Sequence, residues 1–70
     1  MYRVDIVKNG QRWTDDVGVL ATSGNIAATA VALLAEAAVE TPPAPGLNCI
    51  AEAYDEAGRL VLKAELTLSV

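Results

Sequence analysis

The sequence predicts an α+β fold: a ββαββ two-layer sandwich with one helix packed on one face of a mainly antiparallel four-stranded sheet. Three observations predict it. Alternating segments stand at both ends, "YRVDIVK" and "LVLKAELTLSV". One long alanine-rich run, "NIAATAVALLAEAAVE", lies between them. Turn chemistry separates each segment from the next. The 70 residues make one domain, of a size that hides only about 60% of the surface its unfolded chain would expose.

Taken in order, the first strand sets Tyr2, Val4 and Ile6 against Arg3, Asp5 and Val7. Asn9 and Gly10 both tolerate the positive φ of a type I′ turn, so 11–13 returns as a short second strand. "TDD" breaks the alternation, and 17–22 is either a short extra strand or an extended loop. Thr22 or Ser23 can cap the helix, its hydroxyl accepting from a first-turn N–H. Ile26, Ala30, Leu33, Leu34 and Ala37 recur at helical spacing and form the expected buried stripe. "TPPAPG", 41–46, cannot continue the helix and reads as a stiff connector within the domain. Its P-x-x-P, Pro42 to Pro45, is also the spacing of SH3 ligands.

Residues 47–54 form the third strand, with Leu47, Cys49, Ala51 and Ala53 toward the helix; small strand residues opposite an alanine-rich helix permit close approach. "DEAG" at 55–58 turns the chain, Gly58 supplying the left-handed residue, into a last strand whose apolar face is Leu60, Leu62, Ala64, Leu66 and Leu68. Set antiparallel to the first strand, the last one can place Arg3 opposite Glu65, Asp5 opposite Lys63 and Val7 opposite Val61. That register makes both charge pairs complementary and puts the terminal strands at the sheet centre.

Net charge is −4, and its distribution is uneven. Residues 13–58 hold seven carboxylates and no lysine or arginine. Such a middle repels phosphate backbones, which argues against direct nucleic-acid binding, and suits a protein partner with a basic surface. It also confers solubility. Thirteen alanines and no phenylalanine leave the core poor in volume. Cys49 is the only cysteine and there is no histidine, so neither an internal disulfide nor a Cys/His metal cage can compensate. Self-association, as a homodimer, is the remaining support. Arg3, Asp5 and Lys8 stand where a signal peptide needs an apolar stretch, and 26–35 is too short to span a bilayer. The expected location is cytoplasmic, away from membranes.

A single helix leaves one sheet face open, carrying Arg3, Asp5, Lys63 and Glu65 with Val7, Val61, Ile50 and Tyr54. Trp13 either joins this face or plugs one end of the core. The interface candidates are therefore Trp13, Tyr54, Arg12 and Arg59, residue types that anchor interfaces, with Val61 and Ile50 beside them. Asp15, Asp16, Glu36 and Glu40 supply the acidic part. Glu36 and Glu40 stand four apart near the helix C-terminus, where both their mutual repulsion and the macrodipole disfavour them. No catalytic residue, cofactor or metal is expected: the chain lacks histidine, Cys49 falls inside a strand, and the glycines fit no phosphate-cradling spacing.

The frame "YRVDIVKNGQRWTDDVG", then the alanine-rich helix, then "YDEAGRLVLKAEL", resembles a family of small uncharacterised bacterial proteins that close on a D-E-x-G-R hairpin. The likeness covers most of the chain and implies the same fold, with no established activity. The first half, a hairpin followed by "GVLATSG" and a helix, is similar to antitoxins that fold over a toxin nuclease. By type alone, a small acidic protein without an active site resembles anti-CRISPR proteins, phage-encoded inhibitors. Together these make a non-enzymatic protein–protein interaction module the expected function. Its most concrete form is an acidic inhibitor of a nucleic-acid-handling complex; the alternatives are an antitoxin-like partner or a structural homodimer.

Overall fold

A computed structural model describes residues 1–39 and 46–68. The elements are β1 (Arg3–Lys8), β2 (Gln11–Trp13), α1 (Ile26–Val39), β3 (Leu47–Tyr54) and β4 (Leu60–Leu68). All strand pairs are antiparallel, in the order β2-β1-β3-β4, and α1 packs on one face. The α+β two-layer sandwich expected from the sequence is the fold observed. Glu40 and the P-x-x-P of the connector lie outside the described residues.

Local chemistry accounts for the elements. Asn9 (φ 49°) and Gly10 (φ 85°) form the left-handed pair whose twist suits a two-residue hairpin. At the helix entry the Thr22 carbonyl accepts from the N–H groups of Asn25 and Ile26, and Asn25 Oδ1 accepts from the Thr22 N–H at 2.8 Å. The Asn25 amide, rather than a Thr22 or Ser23 hydroxyl, thus orders this turn. Ile26, Ala30 and Leu34 are buried, with Leu33 and Ala38 packed at the margin. Beneath them Leu47, Cys49, Ala51 and Ala53 are sealed by the helix. Three of these four side chains are small, which is what lets α1 settle closely on β3. The helix lies across β3 and β4 and only grazes β1.

Strand order is where the sequence-based expectation fails. β1 pairs with β3, not β4: Arg3 faces Tyr54, Asp5 faces Glu52 and Val7 faces Ile50. β3 is therefore central, with β4 at the margin beyond it, Lys63 opposite Glu52 and Glu65 opposite Ile50. Like charges directly opposite each other are ordinarily destabilising, which is what disfavours Asp5 against Glu52 on paper. The fold resolves that clash with a third strand. Arg12, on β2, reaches Asp5 Oδ2 with Nη1 at 3.0 Å and Glu52 Oε1 with Nη2 at 2.6 Å. A rule that scores only facing pairs does not see a cation arriving from the side. The proposed extra strand at 17–22 reduces to one isolated bridge, in which Tyr2 and Val19 exchange hydrogen bonds of 2.9 and 2.7 Å.

Candidate functional site

The structure divides the candidate residues between two surfaces. Arg12, Ile50 and Tyr54 share the uncovered sheet face with Arg3, Asp5, Glu52, Lys63 and Glu65, as strand parity requires. Val61 lies at the irregularity beside Tyr54 and is 47% exposed. Trp13 is elsewhere. Its partner in the hairpin is Ile6, so its ring projects on the helix side of the sheet. It neither joins the open face nor plugs the core.

On the open face the charges are satisfied among themselves. Asp5 is only 2% exposed although no helix covers it. Arg12 and Arg3 roof it: Arg3 Nε lies 3.3 Å from Oδ1, which also accepts the Asp15 N–H at 3.1 Å. The Tyr54 hydroxyl donates to Glu52 Oε1 at 3.1 Å, and the Arg3 guanidinium sits 4.4 Å from the Tyr54 ring centroid. The Arg12 hydrogen bond holds the Glu52 carboxyl below its ordinary range against the opposing effect of burial. The same bond to Glu52 raises the pKa of Arg12. Arg12 and Tyr54 are therefore members of a fixed polar network. The apolar contact area beside it comes from Ile50, Val61 and Leu60; Leu60, expected on the core face, pairs with Tyr54 beyond the irregularity and is exposed on the open face instead.

Asp15 is structural. β2 ends at Trp13, leaving the next outward N–H of β1 without a strand, and Asp15 Oδ2 accepts that Val4 N–H at 3.1 Å. Its Oδ1 accepts from Val17 and Gly18 at 3.0 and 2.9 Å. Burial pushes this carboxyl up, but the N–H groups of Gly18, Val4 and Val17 outweigh it and the net shift is downward. Gly18 has φ 90°, a left-handed conformation that strains any residue with a side chain, so glycine suits the turn. Asp16 is exposed beside it. Arg59 belongs to the β3–β4 turn: Asp55 Oδ1 accepts its N–H and that of Ala57, and Oδ2 accepts Nε at 3.1 Å. Those bonds, the Arg59 N–H foremost, hold Asp55 below the usual carboxylate range.

Between α1 and β2 runs a groove of about 340 Å³ whose apolar walls include Val4, Ile6, Leu33 and Ala37. Trp13, 48% exposed, and Glu36 border it. The Lys8 ammonium lies 5.4 Å from the Trp13 ring centroid, toward a neighbouring hollow lined by Ile6 and Ala37. An aromatic face, an apolar wall and a carboxylate at one mouth can hold a side chain with an alkyl stem and a cationic head. Sequence reasoning named Trp13 and Glu36 but not their juxtaposition. The available signal was the two-residue turn, which fixes Trp13 opposite Ile6.

Cys49 is completely buried on β3. Among the described residues no three His, Cys, Asp or Glu side chains gather as metal ligands, and no helix is long and apolar enough to cross a membrane. Family models, curated proteins and solved structures yield no match to this chain.

Proposed function

We propose that this protein is a non-enzymatic interaction module that binds a protein partner with a basic surface, taking a lysine or arginine side chain into the groove between α1 and β2. The observation that carries this reading is the pairing of half-exposed Trp13 with Glu36 across an apolar floor. The Trp13 ring face that Lys8 does not cover and the carboxylate attract the cationic head, and Ile6, Leu33 and Ala37 accept the stem. Exposed Asp16 adds to the negative field that draws a basic partner from a distance. In its most concrete form the module is an inhibitor of a nucleic-acid-handling complex: a surface that grips phosphates displays the same cations this groove accepts.

Trp13 is the only tryptophan, so its fluorescence reports on the groove directly. Titration with a short lysine–leucine peptide should give a saturable change that weakens as salt rises. It should be lost in E36Q, and an acidic peptide of equal length should give no change. Equal response to both peptides, or unaltered affinity in E36Q, would remove the basis for the reading.

A further inference from the structure

The outer side of β4 presents a ladder that no described strand pairs with. The direction of its backbone groups follows from the sheet. The Asn9 N–H donates to the Asn48 carbonyl, its facing residue, so Asn48, Ile50 and Glu52 bond toward β1. Cys49, Ala51 and Ala53 then bond toward β4. This leaves Lys63, Glu65 and Thr67 with N–H and C=O directed outward. Edge strands are ordinarily blunted by short length, proline, a bulge or charged side chains; the charges of β4 are Lys63 and Glu65, of opposite sign and two residues apart, so a second copy can pair them. β4 is nine residues long without proline, and its irregularity lies at one end, opposite the Ala53/Tyr54 step.

We propose that a second copy of this chain covers that ladder, β4 pairing antiparallel with β4 about a two-fold axis at Ala64. Charge selects this register. Centred on Ala64, each Lys63 stands opposite Glu65 of the second copy, on the open face. A shift of one residue either way sets Lys63 against Lys63 or Glu65 against Glu65, which is destabilising. Ala64 is also the midpoint of Leu60–Leu68, so this centre gives full overlap. On the helix side Leu62 meets Leu66 of the second copy, joining two apolar rows.

The helix layer agrees independently. α1 sits over β3 and β4, close to the proposed axis. Leu33, Glu36 and Ala37 look toward the β1–β2 side, where they line the groove. The flank beyond the buried stripe, toward the axis, holds Ala27, Val31 and Ala38 and no polar side chain. Val31 is 55% exposed there in the protomer. Pairing thus continues both layers across the axis and supplies core volume that an alanine-rich chain lacks. The surface is distinct from the groove and does not depend on its occupant.

Sedimentation equilibrium of the full chain should show a dimer. K63E and E65K should each weaken it, about tenfold for the two like-charge contacts created, with circular dichroism unchanged. Mixed together, these two variants should form a heterodimer, because each then meets the opposite charge at both positions; the doubly swapped K63E/E65K chain should recover the homodimer. A chain that stays monomeric at all concentrations overturns the proposal. So does a dimer indifferent to both single variants, or a mixture of them that forms no heterodimer.

Discussion

At one margin of the sheet β2 covers only three residues of β1, and beyond it a carboxylate takes a strand's place: Asp15 accepts the Val4 N–H, and the Tyr2–Val19 bridge completes the run. At the other margin the nine-residue β4 turns the backbone groups of Lys63, Glu65 and Thr67 outward, where no described strand meets them. On the proposed pairing of β4 with a second copy, the same structural need has two solutions with different sensitivities. A margin closed by an ionised side chain answers to pH. A margin closed by a second copy answers to protein concentration. The difference also explains why the short margin can lie beside a groove, since a loop held by one aspartate leaves the helix side of β2 uncrowded.

The largest expected effect breaks the first margin. Asp15→Ala removes the acceptor of three backbone N–H groups and leaves that of Val4 without a partner. Hydrogen bonds to charged groups contribute about 1.5–3 kcal/mol each and do not add fully, so a loss of roughly 3 kcal/mol is expected in urea denaturation. A loss below about 1 kcal/mol would mean that the loop is held by something else. Asp5→Ala should follow at roughly 2 kcal/mol, less than for a fully buried ion pair because both arginine heads keep access to water.

Acid sharpens the contrast. The folded-state pKa of Asp15 lies below its unfolded value, because the N–H bonds from Gly18, Val4 and Val17 outweigh burial. The unfolded chain therefore takes up the proton first as pH falls. The stabilisation is fully present above the unfolded value of about 3.9 and is lost as pH drops through the lower folded value. Denaturation midpoints measured from neutral pH down to acid should be flat and then fall. In Asp15→Asn the acid fall should be shallower, and an identical slope would exclude Asp15 as its source. The β4 margin should behave otherwise: the melting temperature should rise with protein concentration in the wild type and much less in K63E.

How much of this was legible in the sequence depended on the range over which each feature is set. The bounds of β2 and β3 and the Ile26, Ala30 and Leu34 core of the α1 stripe follow from short-range periodicity and turn chemistry and could be read directly, whereas Ala37, expected in that stripe, lines the groove. The neighbour of β1 could not. It depends on Arg12 neutralising two facing carboxylates from a third strand, an arrangement that pairwise complementarity scores as unfavourable. Asp15 was read as part of an acidic interface surface, and its bond to Val4 across the sheet margin, which makes it structural, was not legible. Trp13 is the instructive case: a two-residue turn and a core-facing Ile6 already determined its side of the sheet.

Trp13 also provides the smallest expected change in stability. Nearly half its surface is exposed, and what is covered lies along an open groove rather than inside the packed cluster. At about 25 cal/mol per Å², covering half of a tryptophan side chain contributes about 3 kcal/mol at most, less what the unfolded chain already covers, and the void left by Trp13→Ala opens to water, so no sealed cavity adds to the loss. Roughly 1–2 kcal/mol should be lost in denaturation, against a complete loss of basic-peptide binding followed by calorimetry. The two readouts separate the roles. A large destabilisation would make Trp13 part of the core and leave the groove a packing defect, whereas a stable variant that no longer binds would place the functional surface on the helix side of the sheet, opposite the charged network that holds the strands in register.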